Sequence, residues 1–345
     1  MDWMGLKEEH KLLRHDMKKF AEAELAPQVA EKDKMSEPQT EPVKKLAEIG
    51  GLGLLAAEEY DGAGMDFLSL VITVEELAKV SPSFALIVSA HNLVVDMISL
   101  KGSDEIKKEY LSILATGEMI AGMSIDTMLH PHISGKKRER LIVSGSFADV
   151  FCITVTNEES IQFMVVRKGK GLKTESELMG MRMSGICSFL PSGLEEGHST
   201  FPMDTLDEYF SKMQLLFGGI ACGISQSSLE LSRSYAKERI QFERPIASFG
   251  MVRIMLAEMA MRANASKILV YEAASGNNVL DRTLAAVYAT ENSFYVADKA
   301  VQVYGGYGYT KDYPLEMFFR DAKVIEVFSG TADSQKVLIG KHLTS

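Results

Sequence analysis

The sequence predicts an α+β chain in three parts: an N-terminal helical domain over 1–117, a small central β domain over 118–204, and a C-terminal four-helix-bundle domain over 205–345. Three observations carry this. Apolar residues recur at helical spacing through the first third. Near residue 118 the texture changes to short apolar or alternating runs between polar turns. Long helical patterns return after about residue 204. No internal repeat interrupts the order.

The first helix is read over Leu6 to Pro27, where Leu6, Leu13, Met17 and Phe20 form one apolar face and Pro27 ends the pattern. Further helical stretches follow at Val43 to Ile49, Phe67 to Val80 and Phe84 to Leu100. Another starts at Ser103, a good N-cap, and closes near Gly117. Strands are expected at Met119 to Ser124, Leu141 to Ser144, Phe151 to Val155 and Ile161 to Val166, with turns such as Ser134-Gly135-Lys136-Lys137 and Lys168-Gly169-Lys170-Gly171 between them. The last third reads as helices at Leu206 to Arg239, Phe249 to Ala274, Leu280 to Tyr304, and from about Ser334.

Composition bounds the function. With 345 residues, 46% hydrophobic and 24% charged, the chain is too apolar for disorder and can bury a large core. Its net charge of −10 repels phosphate backbones and anionic lipid heads, which argues against nucleic-acid or membrane-surface binding as the main role. Cys152, Cys187 and Cys222 cannot all pair and show no CxxC spacing, so neither a disulfide framework nor a metal site is indicated. The charge-free run Met213 to Leu229 is too polar and too short to span a bilayer, and the first residues show no secretory pattern. A cytoplasmic location is expected.

Three stretches carry chemistry. Tyr235-Ala236-Lys237-Glu238-Arg239-Ile240-Gln241-Phe242-Glu243-Arg244-Pro245-Ile246 ends a long helix with cations. These complement the helix dipole, or present Arg239 as a two-pronged donor to phosphate. Gln302-Val303-Tyr304-Gly305-Gly306-Tyr307-Gly308-Tyr309 puts a glycine-rich turn straight after a helix, either as a C-cap or as a close approach of backbone to a ligand. It continues through Tyr313-Pro314-Leu315-Glu316 and Arg320-Asp321-Ala322-Lys323 to Phe328-Ser329-Gly330-Thr331.

This ordered series resembles the acyl-CoA dehydrogenase family of flavoproteins. Its N-terminal pattern is matched too, by Leu46-Ala47-Glu48-Ile49-Gly50-Gly51-Leu52-Gly53, Glu58-Glu59-Tyr60-Asp61-Gly62-Ala63-Gly64 and Glu75-Glu76-Leu77, so the likeness spans Leu6 to about Leu343. The resemblance implies FAD and an acyl-CoA thioester bound between the β domain and the bundle. A glutamate there takes the α-proton while a hydride leaves for the flavin. By position, Arg239 resembles the arginine on the FAD pyrophosphate and Phe242 its aromatic neighbour. Gln302, Gly305 and Gly306 resemble the segment touching the adenosine part, and Thr331 resembles a contact to the chain's own flavin. In the family all but the last reach across a subunit interface. A tetramer and an electron-transferring flavoprotein as acceptor are also implied.

The departures concern the base. Where the family's C-terminal motif has Glu before Gly-Thr, this chain has Ser329, which is no base without a partner to activate it. The alternative family location, 26 residues before Arg239, holds Met213, followed by Gln214. Ser124-Ile125-Asp126-Thr127-Met128 replaces a Thr-Glu-Pro strand, and a Trp-Ile-Thr-Asn strand lining the flavin has no counterpart. The residues kept are those lent to a neighbour; those lost serve the chain's own chemistry.

Three readings follow. The chain is the base-less subunit of a hetero-oligomer completing a homologous partner's FAD site; or an active homo-oligomer with a relocated base at Glu326, Glu208 or Asp333; or a flavoprotein acting on a CoA thioester without a strong base. His130 and His132, two apart, are not read as a metal site, and His91 is expected at a subunit or domain contact. Met251, Met255 and Met259 are read as core packing, Gly218, Gly219, Ala221 and Gly223 as close helix packing, and Phe217 or Tyr209 as walls of an acyl cavity.

Overall fold

A computed structural model of the protein describes residues 5–125, 140–156, 161–167, 172–175, 178–189, 199–202, 206–328, 330 and 332–344. α1 (Glu8–Phe20) buries His10, Leu13, Met17 and Phe20, and passes into a π-helical turn at Ala21–Leu25 before Pro27. α2 (Val29–Met35) and α3 (Thr40–Glu48) follow. α4 (Phe67–Ala78) begins where Asp66 accepts a hydrogen bond from Ser69 N at 2.9 Å. α5 (Pro82–Lys101) begins at Ser81, whose hydroxyl accepts from Phe84 N, with a proline at the first helical position, where no N–H is needed. Ser103 caps α6 (Asp104–Ala115), as its position predicts. α5 is long and apolar enough to cross a bilayer, yet 89% of its apolar window is buried inside the chain, because α4, α6 and the sheet surround it.

The sheet contains β1 (Ala121–Ser124), β2 (Arg140–Val143), β3 (Val150–Thr156), β4 (Ile161–Arg167), β5 (Leu172–Glu175), β6 (Cys187–Phe189) and β7 (Ser199–Pro202), in the order β5-β6-β2-β1-β3-β4-β7. β1 and β3 pair in parallel, Ala121 opposite Val150, and the other pairs are antiparallel. The four expected strands are β1 to β4. β5, β6 and β7 were not expected; three or four residues each, they are too short to show a period, and their partners define them. The turns at 134–137 and 168–171 lie outside the described residues.

After the sheet come α7 (Leu206–Glu238), α8 (Gly250–Ser275), α9 (Val279–Tyr304), α10 (Leu315–Phe328) and α11 (Ala332–Thr344). α10 is a helix the sequence reading did not assign. Its buried Leu315, Phe318, Ala322 and Ile325 keep helical spacing, but they are interleaved with the charged Arg320-Asp321-Ala322-Lys323 motif. Gly218 and Gly223 are the expected close contacts. A Cβ on Gly218 would lie 3.1 Å from Val270 Cγ2, and one on Gly223 would lie 2.5 Å from the Glu75 carbonyl oxygen and 2.6 Å from Ala78 Cβ. The methionine row needs correction. Met259 is fully buried, Met255 is half-buried and Met251 is 70% exposed, because the first nine residues of α8 are at most half-buried on every side. Helical spacing shows that a face exists, not how far along the helix a neighbour covers it.

His91 joins α5 to two other elements. Its Nδ1 accepts from Ala121 N at 3.0 Å at the start of β1, which leaves Nε2–H to donate to the Leu114 carbonyl at 3.0 Å. Burial lowers its pKa to about 4.

Two predictions follow from this packing. Gly223→Ala should destabilise the protein by about 1–3 kcal/mol in urea unfolding, the usual cost of overpacking, whereas Gly250→Ala, where a Cβ meets nothing within 4 Å, should be near neutral. The second concerns pH. The unfolded imidazole protonates near 6.5 and the folded one near 4, so the stabilisation from neutral His91 is complete above pH 6.5 and is lost as pH falls through 4, about 3 kcal/mol in total. Unfolding free energies measured from pH 7 to 4 should fall more steeply in the native protein than in His91→Gln.

Candidate functional site

The C-terminal ends of α7 and α9 lie side by side and enclose a groove of about 470 Å³. Arg239, one residue past α7, is held by its backbone: its N–H donates to the Tyr235 carbonyl at 2.8 Å and its carbonyl accepts from Ile246 N at 2.8 Å. Among the described residues its guanidinium has no hydrogen bond or ion pair, only the Tyr307 ring at 5.7 Å. Gln302, Gly305 and Gly306 supply the opposite wall, and all three line the groove with Arg239. Gly305 has φ +61° and ψ −135°, a conformation that side chains resist. A Cβ on Gly305 or Gly306 would meet no atom within 4 Å, so these glycines leave backbone open to a ligand rather than relieve a clash.

Beneath the groove, the rings of Tyr235 and Tyr304 stack at 3.9 Å with 14° between their planes, and Tyr313 meets Tyr304 edge-on at 4.9 Å. The Tyr304 hydroxyl donates to the Leu231 carbonyl at 3.2 Å, and burial pushes its pKa up to about 12. This stack fixes the distance between the two helix ends. Sequence reasoning missed Tyr235, Tyr304 and Tyr307 as site-forming residues; the signal was tyrosine interleaved with glycine over 304–309.

Phe242 does not line the groove. It sits at the tip of a hairpin formed by β8 (Ile240–Gln241) and β9 (Arg244–Pro245), 87% exposed, with Phe249 edge-on at 6.2 Å. Phe242 and Glu243 both have positive φ, +49° and +63°. Two-residue hairpins of this kind favour Asn-Gly. A bulky aromatic there is held against its backbone preference.

The positions expected to hold a base are spread out. Met213 is fully buried within α7. Ser329 and Thr331 lie outside the described residues, as do His130 and His132; Gly330 between the first two has φ +87° and donates to the Val327 carbonyl at 3.1 Å. Glu326 is mostly buried, with both carboxylate oxygens 3.1 Å from Lys323 Nζ. Glu208 lies 3.8 Å from Lys212, whose ammonium is itself 2.7 Å from Asp96. Asp333 falls in the first turn of α11. Tyr209 is buried, its hydroxyl donating to the Met123 sulfur, and Phe217 is fully buried.

Glu9, His10 and Asp66 lie within metal-ligand spacing, but Lys7 Nζ is 3.1 Å from Glu9 and 3.8 Å from Asp66, and His10 Nε2 is 3.1 Å from Asp66. Lys7 thus already pairs with both carboxylates. All three cysteines are buried, and burial raises the Cys152 and Cys222 thiols.

A helical N-terminal part, a small sheet and a helical bundle define a three-part α+β class of protein. The comparisons with known proteins agree. The N-terminal domain of acyl-CoA dehydrogenases matches residues 7–118, and their C-terminal domain matches residues 204–344. A protein described as a short-chain-specific acyl-CoA dehydrogenase of Clostridium acetobutylicum is 33% identical, over 97% of this chain and 98% of that one. A 3-(aryl)acrylate reductase of Clostridium sporogenes is 29% identical, over 99% of this chain and 100% of that one. Among solved structures, a chain reported with the electron transferring flavoprotein of Acidaminococcus fermentans superposes with a TM-score of 0.90 at 27% identity, covering 99% of both chains. The butyryl-CoA dehydrogenase of Megasphaera elsdenii shares the fold, with a TM-score of 0.90 at 24% identity over the whole of both chains. This protein belongs to the acyl-CoA dehydrogenase family of oxidoreductases, whose members bind FAD.

Phe242→Asn combined with Glu243→Gly should relax the hairpin and raise stability by about 1 kcal/mol in thermal unfolding. An unchanged or lowered stability would show that the positive-φ residues carry no strain.

Proposed function

We propose that this chain is a subunit of an FAD-dependent complex that oxidises an acyl-CoA thioester between its α and β carbons. In this reading it lends its groove to the flavin of an adjoining homologous subunit, and that partner supplies the proton acceptor. The observation that carries this is an asymmetry. The groove residues that the resemblance assigns to a neighbour's flavin are present, with Arg239 unpaired among the described residues and Gly305 and Gly306 open, while the base position on α7 is a buried thioether, Met213, and the other position holds a serine.

The residues of the groove fit the pyrophosphate and adenosine end of FAD. Arg239 can donate two parallel N–H bonds to phosphate oxygens, which a lysine cannot do. Gly305 and Gly306 let backbone come close, and Gln302 adds an amide that can donate and accept. The family resemblance adds Phe242, on its exposed hairpin tip, and Thr331 as proposed further FAD contacts, the latter to the chain's own flavin. When bound, FAD accepts the hydride. The chain's own contribution is to hold the cofactor at a fixed spacing, set by the Tyr235–Tyr304 stack. The three-part division at 118 and 205 leaves the thioester between sheet and bundle. An electron-transferring flavoprotein is the proposed acceptor, supported by the likeness to the Acidaminococcus fermentans structure.

A second reading, an active homo-oligomer with a relocated base, is favoured by end-to-end similarity to the Clostridium acetobutylicum dehydrogenase. Glu326 is its foremost candidate. A third, a flavin reaction without a strong base, draws support from the similar acrylate reductase.

Expression alone and with a homologous chain separates them. The proposal expects a colourless protein alone and a yellow, acyl-CoA-bleached complex on co-expression; a yellow single chain that oxidises a thioester unaided would overturn it. In the complex, Arg239→Ala should weaken FAD retention at least about tenfold and Arg239→Lys by less, since charge remains but the paired donors do not. If the single chain is active, Glu326→Gln should cut turnover by about 10²- to 10⁴-fold, and unchanged turnover removes Glu326.

A further inference from the structure

Asp321 stands apart from the groove and the base positions. It lies on α10, fully buried, eight residues before Ser329. One carboxyl oxygen accepts from Met181 N at 2.6 Å. The other is buried without a hydrogen-bond partner among the described residues. The segment 178–186 that meets it leads into β6, so this contact helps tie the sheet to the helix that runs into the Gly330 turn.

The seating is close. A Cβ on Gly180 would lie 2.6 Å from the Arg320 carbonyl and 2.8 Å from Asp321 N, and Met181 is held at φ +54°. Met183 N donates to Ser83 Oγ at 3.4 Å, and the Ser184 carbonyl accepts from Ser144 N at 3.0 Å. Around the carboxyl, charge is lopsided. Arg320 on α10 is taken by two other acids, Asp33 of α2 at 2.7 Å and Glu316 of α10 at 2.7 Å, and also donates to the Met179 carbonyl at 3.0 Å. The nearby Arg182 of the segment donates to Ser36 Oγ at 3.0 Å. An ionised Asp321 would be a third carboxylate around one guanidinium, with a bare oxygen in a dry site.

We propose that Asp321 is a positioning residue that acts as a proton-controlled latch: as the neutral acid it lets segment 178–186 seat on α10, and as the carboxylate it loosens that seat. Burial, reinforced by Asp33 and Glu316 and opposed by the Met181 N–H and Arg320, pushes its pKa up to about 7. With an exposed value of 3.8, the seated state holds the proton more tightly. The seat is therefore firmest below pH 3.8, weakens as pH rises towards 7, and changes no further above that. This runs opposite to the effect of His91.

The test is hydrogen exchange of peptides spanning 178–186 in the full chain, expressed as protection relative to intrinsic rates from pH 5 to 8.5. Protection should fall by about tenfold per pH unit between pH 5 and 7 and level off above, the slope of one proton. Asp321→Asn keeps the acceptor for Met181 N without the charge and should flatten the profile. A flat native profile, or an unchanged slope in Asp321→Asn, overturns the latch. Should that variant not fold, infrared difference spectra of the native chain decide: a buried protonated carboxyl that persists at pH 6 and vanishes through pH 7 supports the latch, and its absence at pH 6 overturns it. Neither readout depends on bound flavin.

Discussion

The close approach of α7 to α4 and α9 is the constraint on which the remainder depends. α7 runs for 33 residues through the whole molecule, and Gly223 and Gly218 are where its backbone touches α4 and approaches α9. Side chains there would push the helices apart by about the width of a methyl group. The consequence appears at the far end of the same helix, where Tyr235 stacks on Tyr304 and sets Arg239 opposite Gln302 and the two open glycines. Packing without side chains in the core thus fixes a polar groove at the surface.

Charge is handled in two ways. In the interior, several ions are paired. Glu75 is fully buried, and although burial pushes its carboxyl up, Lys267 at 2.6 Å and Lys79 at 3.7 Å hold it below the usual carboxylate range. Asp96 and Lys212 pair at 2.7 Å, though there burial wins and the Asp96 carboxyl is raised. Removing one member of such a pair would leave an uncompensated buried charge. Arg239 at the groove is exposed and unpaired, and Asp321 is buried with one bare oxygen. A charge left exposed at a groove can meet a ligand, and a carboxyl left with a dry oxygen favours a proton.

Much of this was legible beforehand, for identifiable reasons. The cap at Ser103 and the apolar face of α1 are local signals, set by residues within one or two turns. The ordered motifs from Gly305 to Thr331 carried the family. Other features were not legible. β5 to β7 are shorter than any period that could announce them, and α10 was masked by the charged motif it carries. Met251 shared the spacing of Met259 but lies where no described residue covers the helix.

The sequence by itself determined the order of helices, strands and helices, the family, and the residue types missing from both places where a base belongs, because those depend on composition and on neighbours along the chain. Only the tertiary structure decided that Arg239, Gln302, Gly305 and Gly306, some sixty residues apart, share one groove while Phe242 stands outside it. It alone put Asp321 against Met181 and Arg320 against Asp33. Such contacts join positions distant in sequence, and their strength is set by how much water and opposing charge the fold leaves beside each group, which spacing along a chain does not encode.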